Sequence, residues 1–195
     1  MRAAVAIAVL ALVIVIGRGD AAADEYKAKK DLERATKSAK HEAVSIKVGV
    51  KPTKLVNLYN QWTKDWLAVD PEQLPTASQV DRFLRDHFTN EMTQMDKKLI
   101  EVVLGAAKQF KADAVTVVSG FRHPKFNLML RKKGHQVARD SQHTHGNAVD
   151  FMIANVPVKK LHEWAKAQKL GGVGIYLSSG FVHMDTGPIR FWSGE

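Results

Sequence analysis

The chain has 195 residues, 45% of them hydrophobic, and a formal net charge of +9. That length suits one domain of ordinary size with some additional sequence, and the apolar content excludes a wholly disordered chain. The lack of cysteine excludes disulfides, thiolate nucleophiles and thiolate metal ligands, so any bound metal must rest on His, Asp or Glu.

Met1-Arg2 is a short positive start, and Ala3 to Gly17 is an unbroken run of Ala, Val, Leu, Ile and Gly. Ala21-Ala22-Ala23 then supplies small residues just before Asp24-Glu25. This pattern predicts a signal peptide over residues 1–23, or an N-terminal anchor if it is not cleaved. The run is shorter than the roughly 20 residues that span a bilayer as a helix. Either way, the rest of the chain is expected in the periplasm or cell envelope, with membrane contact only through the signal or anchor. Residues 24–43 read as a charged tether, with Lys27, Lys29, Lys30, Arg34, Lys37 and Lys40. Charge alone motivates a nucleic-acid partner, but no nucleic-acid motif accompanies it, and none is expected; an anionic envelope is as good a match.

A packed region is expected from residue 44 onward, beginning with a strand-like alternation over Val44–Val50. Leu55, Leu58, Tyr59, Trp62 and Trp66 read as core. Asp81–His87 reads as a short helix. Asp96–Phe110 is a stronger one, with Leu99, Val102, Val103, Ala106 and Phe110 on one face. Val115–Val118 is a β-branched strand ended by Ser119-Gly120. Phe126–Lys133 is helical and stops at Gly134. Ala148–Ile153 is a strand, Pro157–Leu170 a helix opened by its proline, and Val173–Tyr176 and Phe181–Asp185 two further strands. These elements predict an α+β domain with a small antiparallel sheet and helices packed on one face.

Ligand-type residues fall in two of these segments. In Ser141-Gln-His-Thr-His-Gly-Asn-Ala-Val-Asp150, His143 lies in a polar loop and Asp150 inside a strand. Period-two alternation turns Val149, Phe151 and Ile153 to the core and Asp150 away from it. An aspartate so placed must be paired, hydrogen-bonded or metal-bound. In Gly180-Phe-Val-His-Met-Asp185, Val182 and Met184 suit the core, while His183 and Asp185 share the other face. If the strands pair, Asp150 and His183 face one site on the sheet. Two imidazoles and a carboxylate with an open position make a catalytic Zn2+ site. Ser119-Gly-Phe-Arg122 adds a guanidinium at a strand end, suited to a carboxylate or a developing oxyanion.

The pattern S-x-H-x-x-G-x-A-x-D is met by Ser141, His143, Gly146, Ala148 and Asp150. It resembles the signature of the zinc peptidase superfamily of lysostaphin-type enzymes, D-alanyl-D-alanine peptidases and the hedgehog signalling domain. Ser119-Gly-Phe-Arg-His-Pro124, Asn127, Leu58-Tyr-Asn60, Phe83-Leu-Arg-Asp86 and Gly180–Trp192 are similar to the murein endopeptidase K branch. The resemblance runs from about Val44 to Trp192. It implies zinc on His143, Asp150 and His183, with Arg122 and Ser141 as substrate contacts. It also implies a metallopeptidase that hydrolyses peptide cross-links of peptidoglycan.

One departure matters: many relatives carry an acidic base three residues before the last zinc histidine, where this chain has Gly180. Asp185 is then the candidate base or a partner that orients a ligand imidazole, and His145 is another candidate base and a substitute ligand. The alternatives are a D-alanyl-D-alanine-type carboxypeptidase acting on peptidoglycan stems and a non-hydrolytic zinc-containing module that binds the cell wall.

Overall fold

A computed structural model describes residues 28–32, 54–135 and 137–194. Its contacts divide the chain into two units, residues 1–51 and 52–195. In the first, residues 28–32 are helical and exposed. The expected signal segment, most of the tether and the expected strand at Val44–Val50 lie outside the described residues. No helix among the described residues is long and apolar enough to cross a membrane.

The second unit is an α+β layer with seven strands: β1 (Val56–Asn60), β2 (Trp66–Val69), β3 (Ala114–Ser119), β4 (Ala148–Met152), β5 (Gly172–Tyr176), β6 (Phe181–Asp185) and β7 (Arg190–Gly194). Their order is β2-β1-β3-β4-β6-β5-β7. The sheet is therefore larger than expected, and it is mixed: β1 pairs with β3, and β5 with β7, in parallel. The expectation of a small antiparallel sheet is corrected by two crossovers. Between β1 and β3 the chain passes through helices α1 (Ala77–Phe83) and α2 (Lys97–Phe110), long enough to bring β3 back parallel. Between β6 and β7 it crosses the start of β5 at Gly171, where a Cβ would stand 2.7 Å from the Gly187 carbonyl oxygen.

Local signals place most elements. Thr76 and Gln79 form a capping box at α1, so this helix starts before the expected Asp81. Asp96 caps α2 through the Lys98 amide at 3.0 Å. Pro124 opens α3 (Pro124–Lys132), and α4 spans Val158–Ala167.

Val115, Val117, Phe151, Val173, Val182 and Met184 share one sheet face and join Leu99, Val103 and Ala106 of α2 and Leu161 and Ala165 of α4 in a single core. Burial of this face is the main stabilising term. Trp62 and Trp66, expected in the core, are instead 55% and 64% exposed. Trp62 sits in the β1–β2 turn, and Trp66 lies opposite Tyr59 on the face turned away from the core.

Candidate metal centre

The register of the sheet builds the site. Ser119, Asp150, His183, Gly174 and Trp192 are successive partners across β3, β4, β6, β5 and β7. The row lies on the face opposite the core, as the alternation predicts for Asp150 and His183. Ser119 joins it through a β-bulge between Val117 and Ser119. Without that extra residue Ser119 would share the face of Val117; the bulge turns the strand end, and the Gly120–Arg122 segment after it, toward the site.

His143 comes from a 3-10 helix (Gln142–His145) that ends at Gly146. Its Nδ1–H donates to the Gly120 carbonyl at 2.7 Å, while the Arg122 amide donates to the His143 carbonyl at 3.0 Å. The strand end thus grips His143 at both its ring and its backbone.

Gly146 has φ +73°, and a Cβ there would meet the Gln94 carbonyl and lie 2.9 Å from Thr93 Cγ2. Gly146→Ala is expected to cost about 1–3 kcal/mol, lowering the melting temperature by several degrees. Gly180, at φ +74° with nothing within 4 Å, provides the comparison. Gly180→Ala carries only the conformational cost, about 1 kcal/mol, and paired thermal melts of the two variants check the ordering.

His143, Asp150 and His183 are buried, and their ligand atoms all lie within 4.8 Å of one another. His143 Nε2 is 3.1 Å from His183 Nδ1 and 3.2 Å from Asp150 Oδ1, and His183 Nδ1 is 2.8 Å from Asp150 Oδ1. The outer nitrogens decide the chemistry. Gly120 O only accepts, so His143 must carry its proton on Nδ1. His183 Nε2 lies 2.9 Å from the carboxylate of Asp185, which holds the proton there. Two nitrogen lone pairs and a carboxylate oxygen then converge on one point. That is the donor set of a divalent metal such as zinc, with both imidazoles oriented by acceptors behind them.

Charge accounts for the titration. Burial pushes the His143 imidazole down, against Asp150 and with help from Arg122. Burial would raise Asp150, but His143 and His183 outweigh it and hold the carboxyl well below the usual range. Burial also opposes the charged form of His183, yet its bonds to Asp150 and Asp185 raise its pKa above the ordinary 6.5.

Asp185 is fully buried. Its Oδ1 accepts from the amides of Gly172 and Gly187, both at 2.9 Å, and from Arg190 Nη1 at 3.1 Å. Its Oδ2 accepts from Arg190 Nη2 at 2.7 Å as well as from His183. Every direction from which this carboxylate accepts is occupied. Trp192 lies 5.0 Å from the His183 ring, with the Arg190 guanidinium 5.0 Å from its own centroid.

Residue-by-residue reading of the sequence did not assign Arg190 and Trp192. The available signal was Gly172-Val-Gly174: two glycines of like parity in one strand. A Cβ at Gly174 would come within 2.5 Å of Trp192, and one at Gly172 would strike Arg190, so the bare backbone of β5 is what lets β7 fold its side chains over the site.

Arg122 and Ser141 line an open cleft of about 630 Å³ with the three clustered residues, Tyr176, Phe181 and Trp192. His145 is not in the cluster; it is half exposed and pairs with Asp140 at 2.6 Å. Gly180 lies in the β5–β6 turn, its amide bonded to the Tyr176 carbonyl at 2.8 Å.

A family described as peptidoglycan L,D-endopeptidase MepK matches residues 50–192. A "Probable peptidoglycan L,D-endopeptidase MepK" of Haemophilus influenzae is 37% identical over 117 residues, 59% of this chain and 63% of the relative. The peptidoglycan L,D-endopeptidase MepK of Escherichia coli K12 is 35% identical over 121 residues, 59% of this chain and 64% of the relative. The chain thus spans 63–64% of the length of these curated relatives. No solved structure shows a significant match.

Proposed function

The chain belongs to the peptidoglycan L,D-endopeptidase MepK family, and from that membership we propose that it is an exported zinc metallopeptidase that hydrolyses peptide cross-links of peptidoglycan in the periplasm or cell envelope. The observation that carries this reading is the convergence of His143 Nε2, His183 Nδ1 and Asp150 Oδ1 on the floor of an open cleft. A zinc ion held by these three residues supplies Lewis acidity and lowers the pKa of water at the site.

The chain's own residues take the remaining tasks. Arg122 presents a permanent positive charge from the cleft wall, where it steadies a substrate carboxylate or the oxyanion that develops at the scissile carbonyl. Ser141 lines the same cleft and is assigned to substrate binding. Asp185 stood between base and orienting partner on sequence grounds; its buried, fully occupied carboxylate behind His183 supports the orienting role. Tyr176, stacked on Phe181 at 4.4 Å, and Trp192 give the same cleft an aromatic wall against which the peptide can pack. Proton transfer then falls to a group other than Asp185, and His145, hydrogen-bonded to Asp140, is the imidazole to test.

The test is zinc content together with digestion of purified muropeptides, with and without a chelator. Zinc bound at one equivalent, with cross-linked dimers cleaved and cleavage lost on chelation, supports the reading. Cleavage of monomeric stems alone would make the protein a carboxypeptidase. Bound zinc with no cleavage would make it a cell-wall binding module lacking the acid that Gly180 replaces. Arg122→Ala is expected to keep zinc while hydrolysis falls about 100- to 1,000-fold, the scale of one oxyanion-stabilising group.

A further inference from the structure

Beside the metal cluster runs a strip of four rings that the proposed reaction does not use. Trp62 stacks on His87 with centroids 5.0 Å apart at 14°. His87 meets Phe126 edge-on at 4.9 Å and 85°. Phe126 stacks on Phe88 at 5.1 Å and 15°. The strip ends in two open rings, for Trp62 is 55% exposed and Phe88 56%.

Exposed aromatics on a turn and a loop would ordinarily be loose, but these are held by two buried polar side chains. Asn60 Oδ1 accepts from the amides of Trp62 and Thr63, both at 3.1 Å, and its Nδ2 donates to the Phe83 carbonyl at 2.9 Å. Asp86 Oδ1 accepts from the amides of Phe88 and Thr89, and its Oδ2 accepts from the His123 amide at 2.9 Å. The two residues are 4% and 1% exposed. These are the Asn60 and Asp86 of the two early motifs, and their task here is to fix the ring-bearing segments to each other and to the start of α3.

The strip is continuous with the site. The His123 amide donates to Asp86 at 2.9 Å, and the neighbouring Arg122 amide donates to the His143 carbonyl at 3.0 Å, so one short segment joins the strip to the cluster. Burial, against the Asp86 charge and with that of Arg122, keeps the His87 ring toward its neutral form, apolar enough to stack.

We propose that the Trp62–His87–Phe126–Phe88 strip is a sugar-binding surface that holds the polysaccharide strand of the substrate while the attached peptide lies at His143, Asp150 and His183. The inference rests on the peptidoglycan reading, because that substrate is a peptide hung from a chain of pyranose rings. A stem of three residues reaches about 10 Å, so a site that binds the peptide needs a surface for the glycan close by. The apolar C–H face of a pyranose packs on an aromatic face while its hydroxyls stay in water, and an exposed, pre-oriented ring is what such stacking requires. A stable protein partner would instead need roughly 800 Å² of contiguous surface on each side, far more than a strip one ring wide.

The experiment uses the full chain and peptide-free glycan strands of alternating N-acetylglucosamine and N-acetylmuramic acid, with binding followed calorimetrically. The wild type should bind, and Trp62→Ala and Phe88→Ala should each weaken binding about tenfold. Trp66→Ala removes an equally exposed indole outside the strip and should leave binding unchanged. On hydrolysis, Trp62→Ala should raise KM for glycan-bearing cross-linked substrate about tenfold and leave cleavage of the sugar-free cross-linked peptide unaltered. No wild-type binding to the strands, an equal effect of Trp66→Ala, or equal loss on both hydrolysis substrates would overturn the proposal. If neither substrate is cut but Trp62→Ala and Phe88→Ala still lose the strands, the peptidase reading fails and the sugar surface stands.

Discussion

His143→Ala, Asp150→Ala and His183→Ala are each expected to lose bound zinc, and with it hydrolysis of cross-linked muropeptides, by more than the roughly 10- to 100-fold that an outer partner contributes. Each supplies one of the three donor atoms that lie within 4.8 Å of one another. His145→Ala should keep the metal, because its ring is engaged with Asp140 instead. Metal analysis of the four purified variants checks the set; full occupancy in any of the first three removes that residue as a ligand. The same site predicts a pH dependence. An imidazole must be deprotonated to bind zinc. Despite burial, Asp150 and Asp185 raise the His183 pKa above 6.5, so the proton competes with the metal at a higher pH than at an ordinary histidine. Zinc affinity should therefore fall with decreasing pH, with its onset above 6.5. Competition titrations against a zinc dye across pH would show it, and a flat profile through that range would contradict the assignment.

Asp185→Asn is expected to weaken zinc binding about 10- to 100-fold, with hydrolysis restored in large part by excess zinc. The carboxylate fixes the His183 proton on Nε2 and so aims the Nδ1 lone pair at the cluster. Two backbone amides and Arg190 hold the carboxylate in place. The variant leaves the Arg190 guanidinium without its partner charge and lets the His183 ring choose its tautomer. It should also shift the pH profile of zinc affinity toward lower pH, because one of the groups that raise the His183 pKa is gone. A merely structural aspartate would not move that profile. Unaltered zinc affinity with hydrolysis reduced a hundredfold would instead make Asp185 the base, the role its strand position first suggested.

The sequence by itself determined which residues face which way. Alternation in Ala148–Met152 and Phe181–Asp185 is local, set by the pleat, so Asp150 and His183 could be turned from the core before any pairing was known. Helix α2 was equally legible, because Asp96 caps it and its apolar spacing repeats over fourteen residues. The expectation that His143, Asp150 and His183 form one ligand set followed from residue type and spacing together with a specific ten-residue pattern.

Tertiary structure alone decided what depends on pairing between distant segments. The first two strands escaped because Trp62 and Trp66 read as core, when one caps a turn and the other lies on the uncovered face of an edge hairpin. The mixed sheet depended on where the chain crosses over, and no local period encodes a crossover. The bulge after Val117, the Gly120 carbonyl behind His143 and the fold of Arg190 and Trp192 over Gly172 and Gly174 join residues far apart in the chain, 23 positions for Gly120 and His143, and are visible only once the register is set. The surroundings of Asp185 were decided the same way: its strand face was local information, but the three residues that bond it from beyond that strand, Gly172, Gly187 and Arg190, come from β5, the loop between β6 and β7, and β7.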